Sequence, residues 1–375
     1  MTVVVKLGSS LVTDASGRLR RSLLAARAAE LAQLREPVCI VSSGAIALGL
    51  PRLGLARRPS STPRLQAASA VGQVRLQLAW EAALSRAGLR AAQVLLSPAD
   101  LAERSSYVNV RNALRELLRL GIVPVVNEND ATATDEITFG DNDALAAQVA
   151  VLVGARLLVL LTEADGVYTS HPAEPGALPL ADGAAADEVE LGPGSPLGRG
   201  GMASKIAAAR VAAGAGIPSV IASGRGPDVL PPLVAGGRGG TRFAPAAAPA
   251  NAFRLWLRHA KPTSGRLVLD DGAREAVVAG GASLLAVGVL ACDGSFAPGD
   301  AVELVAADGT PLGKGLVSAG ADELRGRPRG VEAVHRDRLV LYESVGARSG
   351  AGGRVTAPSD ADDTSAAYFA SAPDA

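Results

Sequence analysis

The sequence predicts an α/β protein, with an open, mostly parallel sheet in an αβα sandwich, joined to a small β-barrel-like module nearer the C-terminus. Three observations predict it. Short, nearly unbroken apolar runs alternate with helical stretches up to about residue 245, as expected of strands buried on both faces of a parallel sheet. Polar clusters follow several of those runs directly, which is where such sheets bind ligands. Beyond residue 265 the pattern changes to short β runs broken by Asp-Gly pairs.

Taken in order, the candidate strands are residues 3–7, 38–42, 93–96, 123–127, 157–162 and 219–222. The candidate helices between them are residues 22–34, 65–86, 108–120, 144–153 and 205–213. Such alternation argues for a doubly wound domain. Residues 236–249 are dense in Gly, Ala and Pro and read as a boundary. The chain therefore divides into an α/β catalytic domain over 1–250, a β-rich domain over 262–345 and a disordered tail over 346–375. Within the β-rich part, Asp271-Gly272, Asp293-Gly294 and Asp308-Gly309 are the expected hairpin turns.

The 37 basic and 37 acidic side chains cancel, which removes any general case for nucleic acid or an anionic membrane as partner. Apolar runs such as residues 157–161 are too short to span a bilayer. The N-terminus lacks the basic region and long apolar stretch of a signal peptide. Cys39 and Cys292 offer no disulfide framework, and His171, His259 and His335 are scattered, so no His-based metal site or triad is indicated. A reducing cytoplasm is the expected compartment.

The basic residues are unevenly divided: 33 are Arg and only four are Lys, namely Lys6, Lys205, Lys261 and Lys314. A lysine that survives such a bias marks a place for a compact point charge, which the wide guanidinium fork cannot imitate. Lys6 lies in Val5-Lys6-Leu7-Gly8-Ser9 and Lys205 in Gly200-Gly201-Met202-Ala203-Ser204-Lys205. Lysine beside backbone N–H groups freed by glycine is a phosphate-holding arrangement. The second run lacks the Walker A spacing, so by itself it also reads as a flexible turn with a solvated lysine.

Asn127-Glu128-Asn129-Asp130 follows a strand, and Gly140-Asp141-Asn142-Asp143 opens a helix. Caps and turns need one Asn or Asp, and these clusters supply far more. A carboxylate suits an α-ammonium and side-chain amides suit an α-carboxylate, so the pair reads as a grip for a zwitterion. Ser42-Ser43-Gly44 closes a strand and opens a helix, where backbone N–H groups are expected to face an anion. Thr162-Glu163-Ala164-Asp165 follows another strand and reads either as a nucleotide contact or as a loop without a ligand. Together the motifs suggest phosphoryl transfer to a small zwitterion. With no His base near them, a carboxylate acceptor fits better than a hydroxyl, because it is already ionised at neutral pH.

On these residues the chain resembles the amino acid kinase family, and within it the members that phosphorylate glutamate. The resemblance runs through residues 3–10, 41–48, 68–76, 123–134, 139–145, 158–169 and 200–205 in order. The β-rich part resembles a PUA domain through residues 265–272, 283–289 and 296–305. The resemblance implies transfer of the γ-phosphoryl of ATP, with Mg²⁺, to the γ-carboxylate of L-glutamate. The product is L-glutamyl 5-phosphate, in the first step of proline biosynthesis. Feedback inhibition by proline and a homo-oligomer, a dimer or tetramer, are also implied.

The resemblance further implies that Lys6 and Lys205 clamp the phosphates and that Asp143 holds the two lysines. Ser43, Asp130 and Asn142, helped by Asn127 and Asp141, would bind glutamate. Thr162, Glu163, Arg199, Gly200, Gly201, Met202, Ala203 and Ser204, with the two lysines, would line the nucleotide site. No dedicated metal ligand is implied. Glu163 stands where the family often has Asp, and Arg199 where it commonly has Thr. Two alternatives stay open. PUA domains commonly bind RNA, but residues 262–345 carry eight basic and twelve acidic residues, which gives phosphate little attraction. A different acceptor of the same fold, such as aspartate, N-acetylglutamate, carbamate or uridine monophosphate, fits less well. Asp130 suits a free α-ammonium, which an N-acetylated substrate lacks.

Overall fold

The structure, a computed structural model, describes residues 1–132, 142–170, 172, 174, 176–188, 201–247, 252–259 and 261–342. The chain forms two compact units, residues 1–264 and 265–375. The expected tail lies outside the described residues, as do Asp141, Arg199 and Gly200.

The first unit runs β1 (Thr2–Leu7), α1 (Ser9–Val12), α2 (Arg21–Gln33), β2 (Val38–Ser42), α3 (Ala45–Gly49), α4 (Thr62–Arg86) and β3 (Arg90–Leu96). It continues with α5 (Pro98–Ala102), α6 (Arg104–Arg119), β4 (Ile122–Glu128), α7 (Asn142–Val153), β5 (Ala155–Thr162) and a small hairpin of β6 (Val167–Tyr168) and β7 (Pro179–Leu180). It ends with α8 (Met202–Gly214), β8 (Ser219–Ser223), α9 (Leu230–Val234), β9 (Thr241–Phe243) and α10 (Ala252–His259). Seven strands form one sheet in the order β3-β4-β2-β1-β5-β8-β9. All neighbours are parallel except β8 and β9. Because β1, β2, β4, β5 and β8 run the same way, their carboxyl ends share one edge, and the polar motifs collect there.

Strand periodicity decides which layer each motif side chain joins. On β1, Val3, Val5 and Leu7 enter a core that includes Leu24 and Leu31 of α2 and Leu76 and Trp80 of α4. Lys6 alternates to the opposite face, which α7 and α8 cover. On β2, Ser42 has the parity of Val38 and Ile40, and its hydroxyl accepts a 2.8 Å bond from Trp80 Nε1. On β4, Asn127 has the parity of Val123 and Val125 and so faces α4.

Helix α4 begins with Pro63 in its first turn, where the missing N–H costs nothing, and ends before Gly88 in a left-handed conformation (φ +77°). It lies against α3 in backbone contact. A methyl group on Gly72 would fall on the Ala45 carbonyl oxygen, and one on Gly49 would fall on that of Ala68. Helix α10 was absent from the expected elements. Its Trp256 is buried and donates a 2.8 Å bond to the Leu101 carbonyl. Short and next to the Gly/Ala/Pro stretch, the helix is visible only through this packing.

The second unit comprises β10 (Thr263–Leu269), α11 (Asp271–Val278), β11 (Leu284–Leu285), β12 (Val289–Gly294), β13 (Ala301–Ala306), β14 (Pro311–Val317), α12 (Ala321–Arg325) and β15 (Glu332–Leu341). Six strands pair in the order β11-β15-β14-β13-β10-β12 around a core that includes Leu267, Leu304, Leu312 and Val334. Asp308-Gly309 makes the expected hairpin turn between β13 and β14, with Gly309 at φ +83°. Asp271-Gly272 does not. Asp270 caps a helix there, its side chain accepting the Ala273 N–H at 2.7 Å, so N-capping wins over the turn. Lys314 pairs in register with Glu303 and is half-buried, with burial drawing its pKa down. One of the two lysines outside the catalytic motifs therefore has a role in its own sheet.

The α3–α4 contact predicts opposite outcomes at two helical glycines. Gly72→Ala should destabilise by about 1–3 kcal/mol through overpacking. Gly214→Ala at the end of α8, where an added methyl meets nothing within 4 Å, should be neutral or stabilising. Urea unfolding of both variants checks this.

Candidate active site

Three elements bring one carboxylate and two ammonium groups together. Lys6 rises from the end of β1, Asp143 sits in the first turn of α7, and Lys205 sits in the first turn of α8. Lys6 Nζ lies 2.5 Å from Asp143 Oδ1, and Lys205 Nζ lies 3.1 Å from Asp143 Oδ2. Ser204 Oγ adds a 3.3 Å bond to Oδ2. All three charged groups are buried. Burial alone would raise the Asp143 carboxyl, but the two lysines outweigh it and hold the group below the usual carboxylate range. At an effective dielectric near 20, one such contact is worth on the order of 4 kcal/mol before desolvation, so the cluster depends on both pairings being kept.

Beside this cluster lies a chain of buried polar side chains. Asn142 Nδ2 donates to Ser43 Oγ and to Asn127 Oδ1, both at 3.0 Å. Asn127 Nδ2 donates to Gln73 Oε1 at 2.7 Å. Ser69 Oγ donates to Asp130 Oδ2 at 2.5 Å. Three buried atoms in this group have no partner: Gln73 Nε2, Asp130 Oδ1 and Asn142 Oδ1. Each such atom costs about 1–3 kcal/mol when left unsatisfied. Burial pushes the Asp130 carboxyl up, while the Ser69 bond and the charge of Arg58 oppose that without cancelling it. Arg58 also lines a cleft of about 530 Å³ with Asp14, Ser16, Ile46 and Ala47.

The structure thus brings together Lys6, Ser43, Asn127, Asp130, Asn142, Asp143 and Lys205. The Ser43 N–H donates to the Leu7 carbonyl at 3.1 Å and so continues the sheet. The Ser43 hydroxyl is what meets Asn142. Ser69 and Gln73 were missed at the level of sequence. Their signal was two polar residues one helical turn apart on a face otherwise built from Ala, Leu, Gly and Trp.

Thr162 ends β5, and Glu163 follows it in an ion pair with Arg225, both partly exposed. Arg225 sits in the loop after β8, which a buried pair on α2 holds down. Arg27 donates to the Gly226 carbonyl at 2.6 Å and to Glu30 at 2.6 Å, and Glu30 accepts the Leu230 N–H at 2.9 Å. Gly201 is the N-cap of α8, and Met202, Ala203 and Ser204 form its first turn. The first-turn N–H groups of such a helix have no partner within it. Among the described residues, no three His, Cys, Asp or Glu side chains converge to hold a metal ion.

A parallel sheet with lysines and helix starts gathered at its carboxyl edge defines a phosphoryl-transfer class of protein. The sequence profile of the amino acid kinase family matches residues 1–223, and that of the PUA domain matches residues 265–336. Curated relatives agree. The chain is 44% identical over 361 residues to "Glutamate 5-kinase" of Burkholderia multivorans, covering 90% of this chain and 97% of that protein. It is 43% identical, with the same coverage, to the proteins of that name from Paraburkholderia phymatum and Cupriavidus taiwanensis. A solved structure, the isopentenyl phosphate kinase product complex of T. acidophilum, aligns with a TM-score of 0.46 at 20% identity, covering 65% of this chain and all of that one. The chain belongs to the amino acid kinase family, and within it to the glutamate 5-kinases. Kinase chemistry of this family uses a nucleotide and a metal ion.

Removing Asp143 would leave two buried ammonium groups side by side, which should cost about 3–5 kcal/mol. Because the folded-state pKa of Asp143 is depressed, its contribution is present above the unfolded carboxylate value of about 3.9 and is lost as pH falls through the lower folded value. The stability gap between wild type and Asp143→Asn should therefore be full at neutral pH and close in strong acid. Denaturation midpoints across pH 2–7 (roughly the carboxylate range) measure it.

Proposed function

We propose that the protein transfers the γ-phosphoryl group of ATP, bound as its Mg²⁺ complex, to the γ-carboxylate of L-glutamate, giving L-glutamyl 5-phosphate for proline biosynthesis. The observation that carries this reading is the pairing of a two-lysine cluster with a neighbouring pocket of unpartnered polar atoms. Asp130 Oδ1 and Asn142 Oδ1 are acceptors, and Gln73 Nε2 is a donor. That set matches an α-amino acid, whose ammonium donates and whose carboxylate accepts. Ser43 and Asn127 hold Asn142 in place, and Asp141 belongs to the same motif.

Lys6 and Lys205 supply positive charge where two anions must approach. Transfer to a carboxylate needs no general base, because the acceptor is ionised at neutral pH. Its obstacle is repulsion between acceptor and phosphate, and two fixed ammonium groups relieve it as charge develops on the transferring group. Asp143 aims both lysines without neutralising both. Gly201, Met202, Ala203 and Ser204 present helix-start N–H groups suited to phosphate, and Arg199 and Gly200 precede them in the same motif. Thr162 and Glu163 border the nucleotide, with Glu163 steadied by Arg225. Mg²⁺ arriving with ATP would add positive charge at the phosphates, and because such an ion keeps mostly water and phosphate ligands no cage of protein carboxylates would be required.

The protein acts in the cytoplasm as a homo-oligomer, a dimer or tetramer, and proline is its feedback inhibitor. Self-association is supported by Val71, Val74 and Leu78, exposed at helical spacing along the outer face of α4, and by the exposed Leu95 on the edge strand β3. No helix among the described residues is long and apolar enough to cross a membrane. Cys39 and Cys292 are both free thiols.

ATP- and Mg²⁺-dependent hydroxamate should form from L-glutamate and hydroxylamine; no product above the aspartate or no-enzyme controls would overturn the assignment. Lys205→Arg should lose about 10²–10³ in kcat, as on removal of one charge-stabilising donor, whereas Lys261→Arg should stay near wild type. A proline series in the same assay tests feedback. Val74→Glu should lower the mass measured by light scattering toward that of one chain.

A further inference from the structure

We infer that Ser69 of α4 is a positioning residue for the acceptor site, holding the Asp130 carboxylate aimed so that its second oxygen receives the substrate ammonium. The inference rests on the function proposed above and adds a residue that is not among the expected site residues.

Three features place Ser69 in this role. Its hydroxyl donates to Asp130 Oδ2 at 2.5 Å, and both residues are buried. Asp130 Oδ1, on the other side of the same carboxyl, is buried without a partner. One oxygen is therefore fixed by the protein and the other is left over. Helix α4 is itself fixed, because Gly49 and Gly72 bring α3 and α4 into backbone contact on either side of Ser69. The hydroxyl thus comes from a rigid support. A hydrogen bond to a charged group is stronger than one between neutral groups, and it orients the carboxyl plane.

The surrounding charges make this bond matter. Burial disfavours the charged form of Asp130, and Ser69 and Arg58 are the groups that oppose it. Arg58 acts from the loop ahead of α4. On β4, Glu128 alternates to the face opposite Asn127. With the Ser69 hydroxyl removed, Arg58 is the opposing group left among the described residues, so Asp130 takes up a proton at higher pH. A neutral Asp130 no longer attracts an ammonium group, and glutamate binding weakens while the phosphate-side lysines are untouched.

The test compares wild type, Ser69→Ala, Ser69→Cys and Ser69→Thr by steady-state kinetics with glutamate and ATP across acidic to neutral pH. In the Ala and Cys variants the glutamate KM should rise by roughly tenfold or more, the loss expected for a hydrogen bond to a charged group. Saturating kcat at neutral pH and the KM for ATP should stay within about twofold, the resolution of such a comparison. The acid limb of kcat/KM should move to higher pH. The titration of glutamate itself is common to all four enzymes and drops out. Ser69→Thr, which keeps the hydroxyl, should restore the wild-type limb. The Cys variant preserves volume, so it keeps the test decisive if Ala proves unstable. An unmoved acid limb with an unchanged glutamate KM in a folded Cys or Ala variant would overturn the inference, as would a loss confined to kcat. If wild type forms no glutamyl hydroxamate, the proposed function falls first, and that result is separate from any effect of Ser69.

Discussion

Asp143 carries two ammonium groups delivered by different parts of the chain, and the rest of the catalytic unit is arranged so that it can. Lys6 arrives on the central strand, Lys205 on the first turn of α8, and Asp143 on the first turn of α7. Burying three charges is tolerable only while each has its partner. The two helix starts must therefore be held against β1 with little freedom. The sheet order puts β1 between β2 and β5. The small residues Ala146, Ala147 and Ala150 let α7 pack closely. Charge placement and packing are here one requirement, since a shift of either helix would part an ion pair in a place where water cannot replace it.

The neighbouring polar chain follows another rule. Its groups bond to one another, yet three of their atoms are left over. In a region this buried, such atoms are a standing cost. The lysine cluster has its charges paired within the protein, whereas this chain keeps three atoms without a partner, as the proposed acceptor site would require. Asn142 and Asp143 are adjacent in sequence, so the start of one helix serves both halves.

Much of this was legible in the sequence, for physical reasons. The strands of the parallel sheet are unbroken apolar runs, so they stood out. The lysines stood out against a background of arginine, and the Asn/Asp clusters because no cap needs so many. The contribution of α4 did not. Ser69 and Gln73 lie within the 68–76 stretch but far in sequence from Asp130 and Asn127, which they meet only after the sheet has formed. The Ser43 N–H is taken up by a sheet bond to Leu7, which its position at the end of an apolar run does not reveal. Asp271-Gly272 opened a helix because an Asp before it supplied a cap. In each case a tertiary or neighbouring partner decided between two uses of the same residues.

The close contact between α3 and α4 has a consequence for how the enzyme meets its acceptor. Helix α3 follows the Ser43-Gly44 turn, and α4 carries Ser69 and Gln73. With no side chain between them at Gly49 and Gly72, the two helices are held in direct backbone contact. Under the proposed function that wall of the acceptor site is preorganised before glutamate arrives, and little of the binding energy is diverted into assembling it. Selectivity for glutamate would then be a matter of rigid fit on this side.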